Sequence, residues 1–91
     1  MTTPNGIDFT KIEVVRKRLG LSVVDMAAAM MVSRMSYYLW VRGRAMRPAQ
    51  AYRVKKVVRV LLDLLKDKQW SEEVSTLDPP ERRKRLLALL G

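Results

Sequence analysis

Apolar residues recur three and four positions apart along most of the chain, and the residues between these runs are those that start and stop short helices. Ile12, Val15 and Leu19 share one helical face. Thr10 followed by Glu13 has the pattern of a capping box, in which the hydroxyl accepts from a first-turn N–H and the carboxylate reaches back to the N–H of the cap. Gly20 tolerates the positive φ of a helix exit. Together these predict a first helix over about 11–19. Ser22 followed by Asp25 repeats the start signal, ahead of an apolar side made by Met26, Ala27 and Met30, where Ala27 is small enough to let another helix cross closely. Met31 and Val32 fall in a very tight joint. Ser33 then caps a third helix that reaches Arg42 and is stopped by Gly43.

After RGRAMR, Pro48 suits a first helical position, where its missing N–H would have had no partner. A long fourth helix follows over about 49–67, with Ala51, Val54, Val57 or Val58, Leu61 and Leu65 on one side and Arg53, Lys56 and Arg59 away from it. Val60, Leu62 and Leu64 widen the stripe beyond what one small bundle needs. DPPERRKRLLALLG opens with Asp78 as cap and Pro79 at the first position, and continues as a leucine-rich helix. No segment alternates as a strand. The fold class is therefore all-α, and 91 residues make one domain with a single core.

Composition narrows the chemistry. With no cysteine and no histidine, the commonest metal ligands and the usual general base are missing, so neither an enzyme nor a metal or other cofactor is expected. No run approaches ~18 apolar residues, and MTTPNGIDFT lacks the apolar core of a signal peptide, which leaves a cytoplasmic protein with no membrane partner as the expectation. The net charge is +9, and it is unevenly placed: from Val14 to Leu62 eleven basic residues face one acid, Asp25. Such a stretch is suited to meeting a polyanion, and nucleic acid is the natural one.

Two short helices around a tight turn in a basic all-α domain have the pattern of a helix-turn-helix. GLSVVDMAAAMMVSRMSYYLWVRGRAMRP resembles the phage-repressor type of that family, the group that includes lambda Cro and is often called XRE. Gly20-Leu21-Ser22, Met26-Ala27, Met30, Val32-Ser33, Trp40, Gly43 and Pro48 carry the resemblance, with one extra residue before the proline. It covers about residues 10–65 and implies a five-helix, lambda-repressor-like domain. Three positions depart from the pattern: Val23 stands for a glutamine that braces the phosphate backbone, Met31 for the turn glycine, and Val41 for a glutamate. Arg34-Met35-Ser36-Tyr37-Tyr38-Leu39 and Arg47-Pro48-Ala49-Gln50 are also similar to segments of the small phage anti-CRISPR-associated repressors. That likeness implies a dimer that binds an inverted repeat and turns down its own promoter.

Helical angles sort the aromatic and basic cluster at 32–44. With Tyr37 at zero, Trp40 lies at about 300°, whereas Arg34, Tyr38, Arg42, Met35 and Leu39 span about 60° to 200°. Tyr37 and Trp40 are expected in the core. Arg34, Tyr38 and Arg42 form the edge able to enter a major groove of double-stranded DNA, Arg34 by pairing with guanine or a phosphate. Met35 and Leu39 suit thymine methyl groups, or Leu39 packs on a neighbouring element. Ser22 and Ser33 at their helix starts, with Arg44 and Arg47 in the following loop, suit phosphates.

One such motif reads few base pairs, so a homodimer is expected. Residues 1–67 would form the DNA-binding part and 68–91 a C-terminal helical extension of the same compact unit. Its Leu86, Leu87, Leu89 and Leu90, with Val60, Leu64 and Trp70, are the candidate dimer interface, unless they fold back on their own domain. Arg82 to Arg85 flank that helix or read DNA. The expected function is a sequence-specific DNA-binding transcriptional regulator, a small phage or prophage repressor, nucleoid-associated when bound and without a small-molecule effector. The alternative is a phage-encoded factor or antitoxin that occupies a host protein through the Met-rich run Met26, Met30, Met31 and Met35. Single-stranded RNA binding would want a platform of exposed aromatics, and only Tyr38 suits one.

Overall fold

The computed structural model describes residues 3–67, 70 and 76–90. Within them the chain forms five helices and no strand: α1 Phe9–Arg18, α2 Val23–Ala29, α3 Arg34–Val41, α4 Pro48–Leu65 and α5 Pro79–Leu90. The all-α expectation is met.

Each boundary has a local cause. α1 begins two residues earlier than Thr10 and Glu13 suggested, because Asp8 is the cap and its Oδ1 accepts from the Thr10 N–H at 3.0 Å. A short loop fixes Asp8 there: the Thr3 N–H donates to the Ile7 carbonyl at 2.8 Å, and the Ile7 N–H to Thr3 Oγ1 at 3.3 Å. The capping box expected at Ser22 and Asp25 is present, with Ser22 Oγ accepting from the Asp25 N–H at 3.1 Å and Asp25 Oδ2 accepting from the Ser22 N–H at 2.9 Å. Ser33 caps α3 through the Ser36 N–H, and Pro48 opens α4 while the Gln50 side chain accepts from the Arg47 N–H.

The ends of α1, α2 and α3 share one geometry. In each, a residue at positive φ lets its own N–H and that of the next residue turn back onto the last carbonyls of the helix. The Leu21 N–H donates to the Arg16 carbonyl, the Val32 N–H to that of Ala27, and the Arg44 N–H to that of Leu39. The residues at positive φ are Gly20 (70°), Met31 (61°) and Gly43 (97°). Methionine at the second of these turns accepts the left-handed conformation against the preference of its side chain.

One core joins all five helices. Phe9 is fully buried, with its ring edge-on to Tyr37 at 5.7 Å and tilted against Trp40 at 6.2 Å. Met26, Met30, Val54, Val57, Leu61, Leu86 and Leu90 fill the rest. Leu64 rather than Leu65 continues the buried stripe of α4, since 54, 57, 61 and 64 stay in phase with a 3.6-residue turn. Arg53, expected on the outer side, lies at the edge of that stripe and donates from Nε to the Ala29 carbonyl at 3.0 Å, completing the C-terminus of α2.

α5 packs on α2 and α4, and an ion cluster fixes it there. Asp25 is fully buried and receives Arg82 Nε at 2.7 Å and Arg83 Nε at 3.2 Å. Asp25→Ala strips two part-buried guanidinium groups of their partner and removes one half of the α2 capping box, so it is expected to cost ~3 kcal/mol or more in urea unfolding. Met31→Gly relieves the turn and is expected to raise stability by ~0.5 to 1 kcal/mol, the relief of strain exceeding the added freedom of the unfolded chain. A lower melting temperature for the glycine variant would contradict the strain argument.

Candidate nucleic-acid interface

α3 carries the residues that the sequence singled out, and it is held from behind. Tyr37 is wholly buried and Trp40 nearly so, so both serve the core as expected. The adjacent tyrosines part company: Tyr38 is half exposed. Arg34 and Arg42 are exposed with it, Met35 is 67% exposed, and Leu39 is half-buried. The structure thus brings Arg34, Met35, Tyr38 and Arg42 onto one outward edge, with Leu39 at its margin. Arg44 and Arg47 are exposed in and after the turn that follows. The guanidinium groups of Arg34, Arg42 and Arg44 make no ion pair or hydrogen bond among the described residues, so they are available to an anion. Ser22 and Ser33 act inside the fold as caps, and Ser33 Oγ also lies 3.2 Å from Ser36 Oγ.

A polar network on α1 sets the angle of this edge. The Tyr37 hydroxyl donates to Glu13 Oε2 at 2.8 Å, and the Arg16 guanidinium grips the same carboxylate while its Nη1 donates to the Leu21 carbonyl at 2.9 Å. Partial burial on its own would raise the Glu13 pKa, but hydrogen bonds from Arg16 and Tyr37 outweigh it and hold the carboxyl below its ordinary range. The Glu13 hydrogen bond raises the pKa of Arg16, and burial followed by the Glu13 contact drives that of Tyr37 far up. In the sequence Arg16 counts only as one of the eleven basic residues that suit a polyanion, and this network is not apparent, although the three-residue spacing of Glu13 and Arg16 is a signal for the pair.

The basic residues therefore fall into two groups. Arg16, Arg53, Arg82 and Arg83 are engaged within the fold. Asp25, the one acid between Val14 and Leu62, is buried under α5, so that stretch presents no carboxylate to solvent. Tyr52, which the sequence reading passed over, is 76% exposed on α4, one turn before Lys55 and Lys56.

The residues expected to join two copies also divide. Leu64, Trp70, Leu86 and Leu90 are buried in the chain's own core, because α5 turns its Leu86 side onto α2 and α4. In this conformation they are not on a surface that a second copy can meet. Val60 is half-buried, and Leu87 and Leu89 are exposed. Among the described residues no helix is long and apolar enough to cross a membrane, and no group of side chains has the composition of a metal site. Comparison with known protein families, with characterised proteins and with solved structures finds no match.

Because Glu13 has a lowered pKa in the folded chain, its contribution to stability is present above the ordinary carboxylate pKa and is lost as pH falls through the folded value. Glu13→Gln is expected to lower stability by ~1 to 2 kcal/mol at pH 7. The gap to wild type should narrow between pH 7 and about pH 3, as acidification passes below the ordinary glutamate pKa toward the lowered folded value. Denaturant titrations of both proteins at the two pH values measure it, and a gap that stayed constant would assign the loss to packing rather than charge.

Proposed function

We propose that the chain is a sequence-specific double-stranded DNA-binding regulator of the helix-turn-helix kind, with α2 and α3 as the pair and α3 as the reading helix. The observation that carries this is the outward edge of α3. Arg34, Tyr38 and Arg42 stand exposed at four-residue spacing on a helix whose opposite face is locked by Tyr37 and Trp40. Arg34, at the first position of α3, suits a bidentate pair with guanine O6 and N7, and Tyr38 a phosphate or base edge. Met35 and Leu39 supply apolar contact to thymine methyls. Arg44 and Arg47 suit the phosphates that fix register but carry no sequence information. The same reading makes the chain a small phage or prophage repressor acting as a dimer on an inverted repeat.

A second reading has its own observation. Met31 and Met35 are 76% and 67% exposed, and flexible thioethers suit an adaptable protein-binding surface such as that of an antitoxin or a factor that occupies a host protein.

Selection from random duplex DNA followed by footprinting separates the two. The DNA reading expects a palindromic site with half-sites about one helical turn apart. Arg34→Ala should then lose ~1 to 3 kcal/mol and relax preference at one base pair, whereas Arg44→Ala should weaken all sequences alike and lower the salt slope by ~1. Binding that stays weak and indifferent to sequence, alongside tight capture of a host protein, would favour the second reading.

A further inference from the structure

The side of the molecule made by α1 and α4 carries an apolar groove of about 360 Å³ for which the DNA reading has no use. Its floor is Ile7, Ile12 and Val15 from one wall and Val58, Leu61 and Leu62 from the other. The apolar surface continues beyond the rim: Leu62 is 46% exposed and Leu65, one turn further on, 37%. Leaving such side chains in water is unfavourable by roughly 25 cal/mol for each Å².

We infer that this groove is the contact between two copies of the chain, each setting Leu62 and Leu65 of α4 against the α1–α4 groove of the other. Charge selects that occupant. The charged groups on the edge of α3 are all cations, and in a chain of net charge +9 it would repel its own copy. Around the groove the signs are mixed, with Asp8 capping α1, Lys11 on α1, Lys55 on α4, and Asp63 directly after Leu62. Lys11, Lys55 and Asp63 have no ion-pair partner among the described residues, so each is open to an opposite charge from a second molecule. A self-complementary surface of this kind suits a two-fold contact, in which every pairing occurs twice. A stable interface takes about 800 Å² per partner, so the contact must extend beyond the groove along the ~27 Å of α4, 18 residues long, and onto α1. The burial of Leu86 and Leu90 withdraws half of the terminal leucines from competition for the role.

The inference depends on the DNA reading for its purpose, since a palindromic site requires a pair, but it is measured without DNA so that either can fail alone. Sedimentation equilibrium of the full chain is expected to show a reversible dimer at micromolar concentration. Leu62→Glu with Leu65→Glu should weaken dimerisation at least tenfold, with helical circular dichroism unchanged, whereas Leu87→Glu with Leu89→Glu should leave it intact. A second measurement needs no variant. Methyl NMR shifts that change with protein concentration should map to Ile7, Val15, Val58 and Leu62. A wild-type chain that stays monomeric, a dimer that survives the α4 variant, or shifts confined to Leu87 and Leu89 would each overturn the assignment. A confirmed dimer with no sequence preference for DNA would leave the groove assigned and remove the DNA reading.

Discussion

The arrangement of the helices depends on one buried carboxylate. Asp25 lies wholly out of water, where an unpaired charge would cost several kcal/mol, and it is tolerable only because Arg82 and Arg83 reach it from α5 while the Ser22 N–H binds it from its own helix. The two guanidinium groups keep 15% and 29% of their side-chain exposure, so they neutralise the acid without being fully dehydrated themselves. Such a cluster contributes less to net stability than to uniqueness: any packing of α5 that moved the arginines away would strand the charge. An apolar contact of the same size would tolerate sliding. Because α2 leads into α3 through the four-residue turn from Met30 to Ser33, fixing α2 against α5 also fixes where α3 begins.

Two further polar contacts complete the placement of α3. Glu13 holds the Tyr37 hydroxyl from α1, and Arg53 holds the Ala29 carbonyl at the end of α2 from α4. Each joins a neighbouring helix to the α2–α3 unit at a point where apolar packing alone would leave a polar group unsatisfied. The arginines used in this way still add to the long-range positive field, but they are not free to make contacts. On the proposed DNA-binding reading, attraction of a polyanion and its close recognition would therefore belong to different basic residues, the second role falling to the exposed set on and after α3.

Local chemistry made much of this legible from the sequence. Ser22 with Asp25, Ser33, Pro48, Gly20 and Gly43 act where their residue types place them, since a cap or a positive φ is decided within a few positions. The split between Tyr37 and Tyr38 follows from helical angle alone. Failures arise where a distant part of the chain decides. Asp8 and Thr10 are both competent caps, and the Thr3–Ile7 loop settles the choice. Leu86 and Leu90 are no more apolar than Leu87 and Leu89, and only the seat offered by α2 and α4 separates them. The partnership of Asp25 with Arg82 spans 57 residues, a separation at which spacing carries no signal.

Met31 is the one turn residue for which stability offers no reason. It sits at φ 61° and is 76% exposed, so it bears the strain of a left-handed methionine with little packing in return. Glycine, used at the equivalent exits of α1 and α3, would avoid that cost. Met35, four residues on in the first turn of α3, is also exposed, so the turn and the start of this helix carry two flexible apolar side chains that the core does not need. A surface built only to attract phosphates has no use for them. Apolar groups beside Arg34 are useful where contact must discriminate, against thymine methyls on DNA or against an apolar patch on a protein. On the proposed reading, the strain at Met31 is accounted for if selectivity as well as charge resides in the edge led by Arg34.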